Sequence, residues 1–315
     1  MSIFITGIAG FIGFHTALAL KKAGYFVAGC DNFNHYYDVQ LKRERAEILE
    51  ESAIEIFEMP VQKIDTLSSF FQDKKITHMI HLAAQAGIRY SAEHPNLFTE
   101  DNLVGFMSIL EFCKKHPPLK LIYASSSSVY GMRNDSGFTE TDDTDYSTSL
   151  YGATKKANEV LAYSYHHCFH LDAIGPRFFT VYGPWGRPDM ATGIFIHNIH
   201  HGLPVTLFEP EKMERDFTYI DDIVFGIKAS LSLSGYHLIN LGNSKRHKLL
   251  ELLSLIENGI GKKAQVRIEK APPGDVYTTS ADISLAKKLL GYSPKTDLSE
   301  GMKAYVSWYV EKYSK

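Results

Sequence analysis

Three glycines near the start of the chain constrain its fold more than any other feature. Gly7, Gly10 and Gly13 follow the short apolar run of residues 3–5 and open the amphipathic stretch of residues 11–22. Glycines in this G-x-x-G-x-x-G pattern let the backbone turn tightly and approach a pyrophosphate, which then meets free N–H groups at the start of a helix. The order of strand, glycine loop and helix therefore predicts a dinucleotide-binding βα unit rather than a ligand-free turn.

Strands and helices alternate through the first half of the sequence. We predict strands at residues 3–5, 25–30, 54–57, 77–84 and 119–124, and helices at residues 11–22, 41–51, 96–115 and 150–170. Such alternation favours an α/β fold in which right-handed crossovers build a doubly wound parallel sheet of the Rossmann type. The helix at residues 41–51 is rich in charge, and we expect it to lie on the surface.

The pattern changes near residue 178. Residues 182–191 are rich in glycine and proline and indicate a long loop, after which the elements are short and mixed. We predict a dinucleotide-binding domain at residues 1–178 and a smaller C-terminal α/β lobe at residues 179–315 that mainly binds the substrate. A predicted strand near residues 237–241 can rejoin the first domain.

The composition excludes several classes of protein. Hydrophobic residues make up 44% of the 315 residues and charged residues 22%, as in ordinary globular proteins, and the formal charge of -3 argues against non-specific nucleic-acid binding. Cys30, Cys113 and Cys168 have neither metal nor disulfide spacing, so we expect a reducing, cytoplasmic environment. We find no signal segment and no apolar run of membrane-spanning length, and we expect no membrane partner.

Asp31 ends the second predicted strand. A carboxylate at that position can accept hydrogen bonds from both hydroxyls of an adenosine ribose, and it would repel a 2′-phosphate. The next residues are Asn32, Phe33 and Asn34, so no basic residue follows immediately. We therefore predict NAD rather than NADP as the cofactor.

Tyr151 and Lys155 are four residues apart, which places both side chains on one face of a helix. A Lys ammonium favours the phenolate of a neighbouring tyrosine, and that phenolate can take a proton from a sugar hydroxyl. A run of four serines, residues 125–128, ends the preceding predicted strand. One of these hydroxyls can complete a Ser–Tyr–Lys relay by orienting the substrate hydroxyl, although serine runs are also common in polar turns.

The chain resembles the extended short-chain dehydrogenase/reductase family over essentially its whole length. The similarity is closest to nucleotide-sugar 4-epimerases and, within them, to UDP-glucuronate 4-epimerases. It is carried by residues 7–13, 31–37, 83–91, 151–159, 177–191 and 215–222. The most specific segment is 177–191, RFFTVYGPWGRPDMA.

The resemblance implies roles for individual residues. The implied catalytic residues are Ser126, Tyr151 and Lys155. The implied cofactor-binding residues are Gly7, Gly10, Phe11, Ile12, Gly13, Asp31, Leu82, Ala83, Asn102, Tyr151, Lys155 and Phe178. The implied substrate-binding residues are Arg89, Ser127, Ser128, Thr180, Arg187, Arg215 and Asp275. Among these, Ser127, Ser128, Thr180 and Arg187 match positions that face a sugar carboxylate, while Arg215 matches a diphosphate contact and Asp275 a uridine-ribose contact.

The resemblance further implies a UDP-sugar substrate, a role in polysaccharide biosynthesis, and a homodimer formed through the two long helices. Two positions depart from the family pattern. Pro60 falls where relatives carry a polar residue near the adenine, and Pro272 falls where they carry a polar or basic residue near the diphosphate. Both departures bear on affinity and not on the type of reaction.

The side chains at three positions favour an acidic sugar. Oxidation at C4 of a 6-carboxylated sugar makes a β-keto acid, which loses carbon dioxide when its carboxylate bond lies perpendicular to the carbonyl. Arg187 can hold that carboxylate in a bidentate pair. Decarboxylases of the family carry Glu where Ser128 stands, and the related 4,6-dehydratases carry an Asp-Glu pair at positions 127 and 128, where this chain has two serines.

The function predicted from the sequence is therefore NAD-dependent C4 epimerisation of UDP-glucuronate to UDP-galacturonate. The alternatives are a 4-epimerase of a neutral or N-acetylated UDP-sugar, a UDP-glucuronate decarboxylase, and a non-catalytic NAD-binding scaffold. His197, His200 and His201 have helical spacing that can bind a metal, but no carboxylate or cysteine lies at motif spacing beside them, and we predict no metal site.

Overall fold

The computed structural model describes residues 1–132, 137–270 and 276–314. Asp275 and Pro272, both singled out in the sequence, lie outside the described residues. The strands are β1 Ser2–Thr6, β2 Phe26–Asp31, β3 Glu55–Glu58, β4 His78–His81, β5 Lys120–Tyr123, β6 Ser125–Ser126, β7 Ala173–Phe178, β8 Thr180–Tyr182, β9 Pro204–Phe208, β10 Glu214–Arg215, β11 Phe217–Tyr219, β12 Tyr236–Leu241, β13 His247–Lys248 and β14 Gln265–Glu269.

Helices follow most of these strands along the chain. They are α1 Phe11–Lys22, α2 Val39–Glu51, α3 Ser68–Asp73, α4 Ile88–Glu93, α5 Pro95–Phe98, α6 Gly105–Lys115, α7 Leu150–Phe169, α8 Ala191–His201, α9 Ile220–Ser230, α10 Leu249–Ile260, α11 Ser284–Leu290 and α12 Leu298–Tyr313. In the part of the chain that the structure describes, no helix combines the length and the apolar character needed to span a membrane.

Eight strands form one large sheet, in the order β12-β7-β5-β4-β1-β2-β3 with β6 beside β7. Parallel pairing is found between β1 and β2, β1 and β4, β2 and β3, β4 and β5, β5 and β7, and β6 and β7. This arrangement confirms the predicted doubly wound α/β fold. The strand order reverses direction at β1, and in such sheets ligands bind at the carboxyl edge of the strands near that reversal.

The chain forms two compact units. The first comprises Met1–Gly131, Glu140–Phe178 and Val224–Ile239, and the second comprises Met132–Thr139, Phe179–Ile223 and Asn240–Lys315. The first unit contains most of the large sheet, whose strands are buried on both faces and pack against apolar side chains of α6 and α7. The core of the second unit is formed mainly by α8, α10 and α12 with β9.

Helix boundaries in the first unit follow local chemistry. The Ser149 side chain accepts a hydrogen bond from Gly152 N and caps the start of α7, and His170 ends it in the left-handed conformation. The helix predicted at residues 96–115 is instead α5, a π-helical segment at Thr99–Val104, and α6. The wide turn contains Asn102, whose buried side chain hydrogen-bonds to other segments of the first unit. Such π-helical turns occur frequently at functional sites.

The prediction that residues 41–51 form a surface helix is wrong in part. Within α2, Leu41, Lys42, Arg45, Ala46 and Leu49 are all buried. Arg45 has no solvent exposure, and its Nη1 donates to Ala9 O at 3.0 Å and to Tyr37 Oη at 2.8 Å. The buried cation is stable because these oxygens replace water, and α2 consequently supports the glycine loop.

Candidate active site

The glycine loop joins β1 to α1 with a very close backbone approach. Gly7 has φ +68°, and a Cβ at this position would lie 2.7 Å from Ala83 N. A Cβ at Gly13 would collide with the Gly7 carbonyl oxygen, and Gly10 N donates to the same oxygen at 3.0 Å. Phe11 and Ile12 are the first two residues of α1. Their N–H groups begin the helix directly after a loop too tightly packed for side chains at Gly7 and Gly13, and free N–H groups at a helix start suit a pyrophosphate.

Asp31 is the last residue of β2 and is 8% exposed. Its Oδ2 accepts from Ala9 N at 3.1 Å and its Oδ1 from Phe33 N at 2.9 Å. Burial raises the pKa of Asp31, and these hydrogen bonds, with the charges of Lys42 and Arg45, act in the opposite direction. Each carboxylate oxygen keeps a second lone pair after these bonds, so the residue fits a ribose diol.

The residues that follow β4 include further candidates for cofactor binding. Leu82 and Ala83 leave the sheet immediately after β4, which makes this strand shorter than predicted. Asn102 fixes the following segment, because its Oδ1 accepts from Gln85 N at 2.8 Å and its Nδ2 donates to Gln85 O and to Thr154 Oγ1, both at 3.1 Å. In this structure Asn102 thus links the segment after β4 to helix α7.

Tyr151 and Lys155 lie in the first two turns of α7 and share a face, as their spacing predicted. Lys155 Nζ lies 5.9 Å from the centroid of the Tyr151 ring and donates to Ala124 O at 2.8 Å. The Phe98 ring meets the Tyr151 ring edge-on at 6.2 Å between centroids. Lys155 is 2% exposed, and burial lowers its pKa to about 8. The pKa of the Lys155 ammonium therefore lies only slightly above neutral pH.

Ser126 is placed by the short strand β6. It stands opposite Phe178 of β7 in the sheet, and both are 7% exposed. Ser126 Oγ accepts from Ser128 N at 3.1 Å at the start of the 3₁₀ turn Ser127–Tyr130. The hydroxyl therefore sits at the carboxyl edge of the sheet, which is the edge that also carries the glycine loop.

A buried ion pair that the sequence did not reveal fixes this strand end. Arg177 and Glu159 form a bidentate pair, with both N–O distances 2.8 Å and both side chains 2% exposed. Ser125 Oγ donates to Glu159 at 2.6 Å, and Arg177 Nη1 donates to Tyr130 Oη at 2.9 Å. Burial alone would lower the pKa of Arg177, but its bonds to Glu159 outweigh burial and raise it. Glu159 lies two turns after Tyr151 on α7, so the pair ties α7 to the strand and the turn that carry the serines.

His81, the last residue of β4, is a second buried group that sequence reasoning missed. Its Nδ1 lies 2.7 Å from Thr6 Oγ1, and Thr6 Oγ1 in turn accepts from Ala83 N at 3.3 Å. Thr6 Oγ1 thus joins the His81 ring to the backbone of the segment that follows β4. Burial, with a smaller effect from the charge of Lys155, lowers the pKa of His81 to about 3. His81 is consequently neutral at physiological pH.

The residues matched to substrate contacts fall in both units. Ser127 and Ser128 lie in the 3₁₀ turn and Arg89 in α4, all within the first unit. Thr180 begins β8 in the second unit, opposite Phe217 of β11. Asp275, also matched to a substrate contact, is not among the described residues.

Two arginines of the second unit have protein partners in this structure. Arg187 forms a bidentate pair with Asp189, in which the Nε–Oδ1 distance is 3.0 Å. Arg215 Nη1 donates to Tyr277 O at 2.8 Å and to Glu214 O at 3.0 Å. The Arg187 fork thus holds the Asp189 carboxylate through two hydrogen bonds, a pairing that the sequence analysis did not predict.

The three histidines of α8 form a ring cluster. The His197 and His201 rings lie 4.5 Å apart and the His200 and His201 rings 4.9 Å, while His197 Nδ1 is 2.8 Å from Tyr309 Oη. Burial lowers the pKa of His197 and of His200. Across residues 1–132, 137–270 and 276–314, no group of three or more His, Cys, Asp or Glu side chains is arranged to hold a metal ion.

A Rossmann sheet whose carboxyl edge carries a glycine loop, an acidic strand end and a Tyr-x-x-x-Lys helix defines a nucleotide-dependent short-chain dehydrogenase/reductase. Residues 3–242 match the model of the NAD dependent epimerase/dehydratase family, and the chain belongs to that family. This match confirms the resemblance found in the sequence. NAD is the cofactor named for the family, in agreement with the prediction from Asp31.

Similar proteins extend over the whole chain. UDP-glucuronate 4-epimerase 4 of Arabidopsis thaliana is 44% identical, with 100% of this chain and 76% of the relative covered. Protein CapI of Staphylococcus aureus is 40% identical, with both chains fully covered. The crystal structure of UDP-glucuronic acid 4-epimerase from Bacillus cereus, in complex with UDP-glucuronic acid and NAD, is 37% identical, with a TM-score of 0.93 over 99% of this chain and 100% of that chain.

Proposed function

We propose that the protein catalyses the NAD-dependent C4 epimerisation of UDP-glucuronate to UDP-galacturonate through a 4-keto sugar. The observation that carries the proposal is the placement of Tyr151, Lys155 and Ser126 at the carboxyl edge of a Rossmann sheet. Relatives named as UDP-glucuronate 4-epimerases support the choice of sugar, as does an arginine whose fork already holds a carboxylate.

The glycine loop fits NAD. Gly7, Gly10 and Gly13 let the loop pack tightly against neighbouring backbone, where side chains would collide, and the first N–H groups of α1 suit the pyrophosphate. Asp31 would hold the adenosine ribose, while Ala83 and Phe178 would border the nicotinamide end. Bound NAD would supply reversible hydride transfer at C4 of the sugar, so that no net oxidation remains after a turnover.

The protein's own residues handle the proton. Tyr151 Oη, as phenolate, takes the proton of the sugar 4-hydroxyl and gives it back when the opposite face of the 4-keto sugar has turned toward the cofactor. Lys155 Nζ supplies the positive charge that favours the phenolate. Ser126 Oγ orients the 4-hydroxyl. Because Lys155 titrates near pH 8, its charge is present at neutral pH and is lost in mild alkali.

The sugar carboxylate is the group that an epimerase must restrain, because the 4-keto intermediate is a β-keto acid. We propose that Arg187 binds this carboxylate, with a hydrogen bond from Thr180 of the same unit. The pair with Asp189 supports this proposal, because the guanidinium donates there to both oxygens of a carboxylate, and the sugar carboxylate would take the place of Asp189. Held near the plane of the ring, the bond to the carboxylate carbon does not align with the carbonyl, and carbon dioxide is retained.

The second unit would provide most of the UDP-sugar contacts, in keeping with a division of the chain near residue 178. Arg215 is proposed to contact the diphosphate, Asp275 the uridine ribose and Arg89 the sugar end. Bonds from Arg215 to two backbone carbonyls fix the direction of its guanidinium before a nucleotide binds. A fixed diphosphate leaves the keto sugar free to turn about it.

We also propose a homodimer formed by α6 and α7, within a reducing cytoplasm. Val160 and Tyr163, three residues apart on α7, are each more than half exposed, an unusual display for neighbouring large side chains on one helix face. Analytical ultracentrifugation of Val160→Glu should show a monomer if this surface joins two copies. A reducing compartment agrees with Cys30, Cys113 and Cys168 being free thiols.

The decisive experiment incubates the purified protein with UDP-glucuronate, UDP-glucose and UDP-N-acetylglucosamine and separates the products. UDP-galacturonate should form fastest. Tyr151→Phe removes only the phenol oxygen and should reduce turnover by at least about 10²-fold, with NAD still bound. Tyr146→Phe alters a tyrosine that is 82% exposed and serves as the matched control. Near-normal turnover by Tyr151→Phe would show that another group is the base.

The principal competing function is a 4-epimerase of a neutral UDP-sugar, which shares the same relay. Faster turnover of UDP-glucose than of UDP-glucuronate would establish that alternative. Release of carbon dioxide as the main reaction of wild-type protein would instead establish a decarboxylase. If NAD binds but none of the UDP-sugars is converted, the remaining alternative is a non-catalytic NAD-binding scaffold.

A further inference from the structure

The loop between β8 and α8, which carries Arg187, has an unusual backbone at Trp185. Trp185 has φ +61°, in the left-handed region that bulky side chains rarely adopt. The turn is tight, since Gly183 has φ +148° and Gly186 N donates to Gly183 O at 3.0 Å. Such a conformation persists only where neighbouring contacts hold it.

Helix α12, at the other end of the second unit's sequence, supplies those contacts from one face. Tyr305, Trp308 and Lys312 lie three and four residues apart and therefore point the same way. The Trp308 and Trp185 ring centroids are 5.2 Å apart, and Lys312 Nζ lies 4.8 Å from the Trp185 ring centroid. A Cβ on Gly186 would collide with the Tyr305 hydroxyl. The loop is thus packed against α12 on both sides of its turn.

The other side of the loop is fixed by α8. A Cβ on Gly193, in the first turn of α8, would lie 2.6 Å from Arg187 O. Met190 N donates to the same oxygen at 3.4 Å. The backbone of Arg187 therefore has little room to move, and the direction of its guanidinium depends on the position of the loop relative to these two helices.

We propose that Trp308 is a positioning residue for recognition of the sugar carboxylate. It acts through Trp185: the indole pair holds the strained turn, and the turn sets the place from which Arg187 reaches its carboxylate partner. The inference rests on the proposed function, because it assumes that Arg187 binds the substrate. It assigns to the C-terminal helix a part in sugar specificity without direct contact with the sugar.

The chain provides its own reporter of this loop. It contains two tryptophans, Trp185 and Trp308, and they contact each other. Fluorescence excited selectively in tryptophan, and not in the 18 tyrosines, therefore arises at the proposed positioning contact. In a Trp308→Phe variant the emission comes from Trp185 alone, beside the arginine that is expected to bind the carboxylate.

The experiment compares Trp308→Ala and Trp308→Phe with Ser307→Ala, which alters an exposed residue on the same helix. KM and kcat are measured with UDP-glucuronate and with UDP-glucose, and bound NAD is quantified in each variant. Trp308→Ala should raise KM for UDP-glucuronate about tenfold and KM for UDP-glucose no more than about twofold. Trp308→Phe retains an aromatic ring and should show the same selectivity with about a threefold effect. Addition of UDP-glucuronate to Trp308→Phe should shift the emission of Trp185 more than addition of UDP does.

Three results distinguish a failure of this inference from a failure of the proposed function. If the wild-type protein does not prefer UDP-glucuronate over UDP-glucose, the proposed function fails, whatever the variants do. If the wild-type preference is present and both Trp308 variants retain it, or lose affinity for the two sugars equally, the positioning role is overturned. If Trp308→Ala does not fold, the selectivity and the emission of Trp308→Phe decide the question alone.

Discussion

Replacement of Glu159 by glutamine removes the counter-charge of Arg177 while keeping the shape of the side chain. Both partners are 2% exposed and share two bonds of 2.8 Å, so water cannot replace the lost charge. A buried cation deprived of its partner typically costs about 3–5 kcal/mol. This is a large part of the roughly 5–15 kcal/mol that stabilises a folded domain. Urea denaturation followed by circular dichroism should therefore show a much lower midpoint for Glu159→Gln.

The chain offers a control of equal geometry in a different environment. Arg43 and Glu58 also form a bidentate pair, with both distances 2.7 Å, but their side chains are 41% and 57% exposed. Because water and salt screen this pair, Glu58→Gln should leave the urea midpoint unchanged within error. The contrast between the two variants isolates burial as the cause.

A double variant tests the origin of the penalty. Glu159→Leu combined with Arg177→Met removes both charges, so no unpaired ion remains in the interior, and this protein should be more stable than Glu159→Gln. Its turnover should nevertheless fall, because the pair orders Ser125 and, through it, the neighbouring Ser126. A Glu159→Gln midpoint close to wild type, or a double variant as unstable as the sum of its single variants, would refute this reasoning.

Three further substitutions test the cofactor site, the carboxylate site and the buried histidine. Asp31→Ala should weaken NAD binding measured by calorimetry, and tighter binding of NADP than of NAD by wild type would contradict the assignment. Arg187→Ala should lower kcat/KM for UDP-glucuronate by an amount equal to about 1.5–3 kcal/mol of transition-state free energy, with little change for UDP-glucose. Some UDP-4-keto-pentose should become detectable by mass spectrometry. Equal losses for both sugars would exclude a carboxylate contact. His81 stays neutral in the fold because burial lowers its pKa to about 3, whereas the unfolded chain gains a proton at this residue below about pH 6.5. The stability present above that pH is therefore lost progressively toward pH 3. The loss should be about 2 kcal/mol at pH 5. His81→Gln should flatten this part of the stability curve, and an unchanged acid limb would show that His81 does not cause it.

Local patterns were sufficient where each residue acts through its own segment. The period of apolar residues and the glycines at 7, 10 and 13 predicted β1, the loop and α1, and α1 has the predicted bounds of Phe11–Lys22. The spacing of Tyr151 and Lys155 fixed their common face on α7, because helix geometry alone determines it. The parallel sheet followed from the alternation of strands and helices, for which right-handed crossovers leave few topologies.

Local patterns could not predict which charged side chains are buried or what they pair with. In the sequence, Arg45 and Lys42 look like the other charges of α2, yet Arg45 is fully buried beneath the glycine loop. Glu159 and Arg177 stand in different elements and meet only because α7 packs beside β7. Whether a charge is solvated or paired depends on what the fold brings to it, and no local pattern records that neighbour.

The sequence by itself therefore determined the architecture and the preference for NAD, since both are specified by short-range spacing and by residue type. It predicted Tyr151 and Lys155 as relay residues from their spacing, and Ser126 from the family resemblance. Only the tertiary structure decided how these residues are held. It placed Asp189 in the fork of Arg187, joined Trp185 to Trp308 across the second unit, and tied the serine strand to α7 through Glu159 and Arg177. Apart from the Arg187–Asp189 pair, these contacts join residues distant in the chain, and their energies arise from burial and mutual geometry, which exist only after the chain has folded.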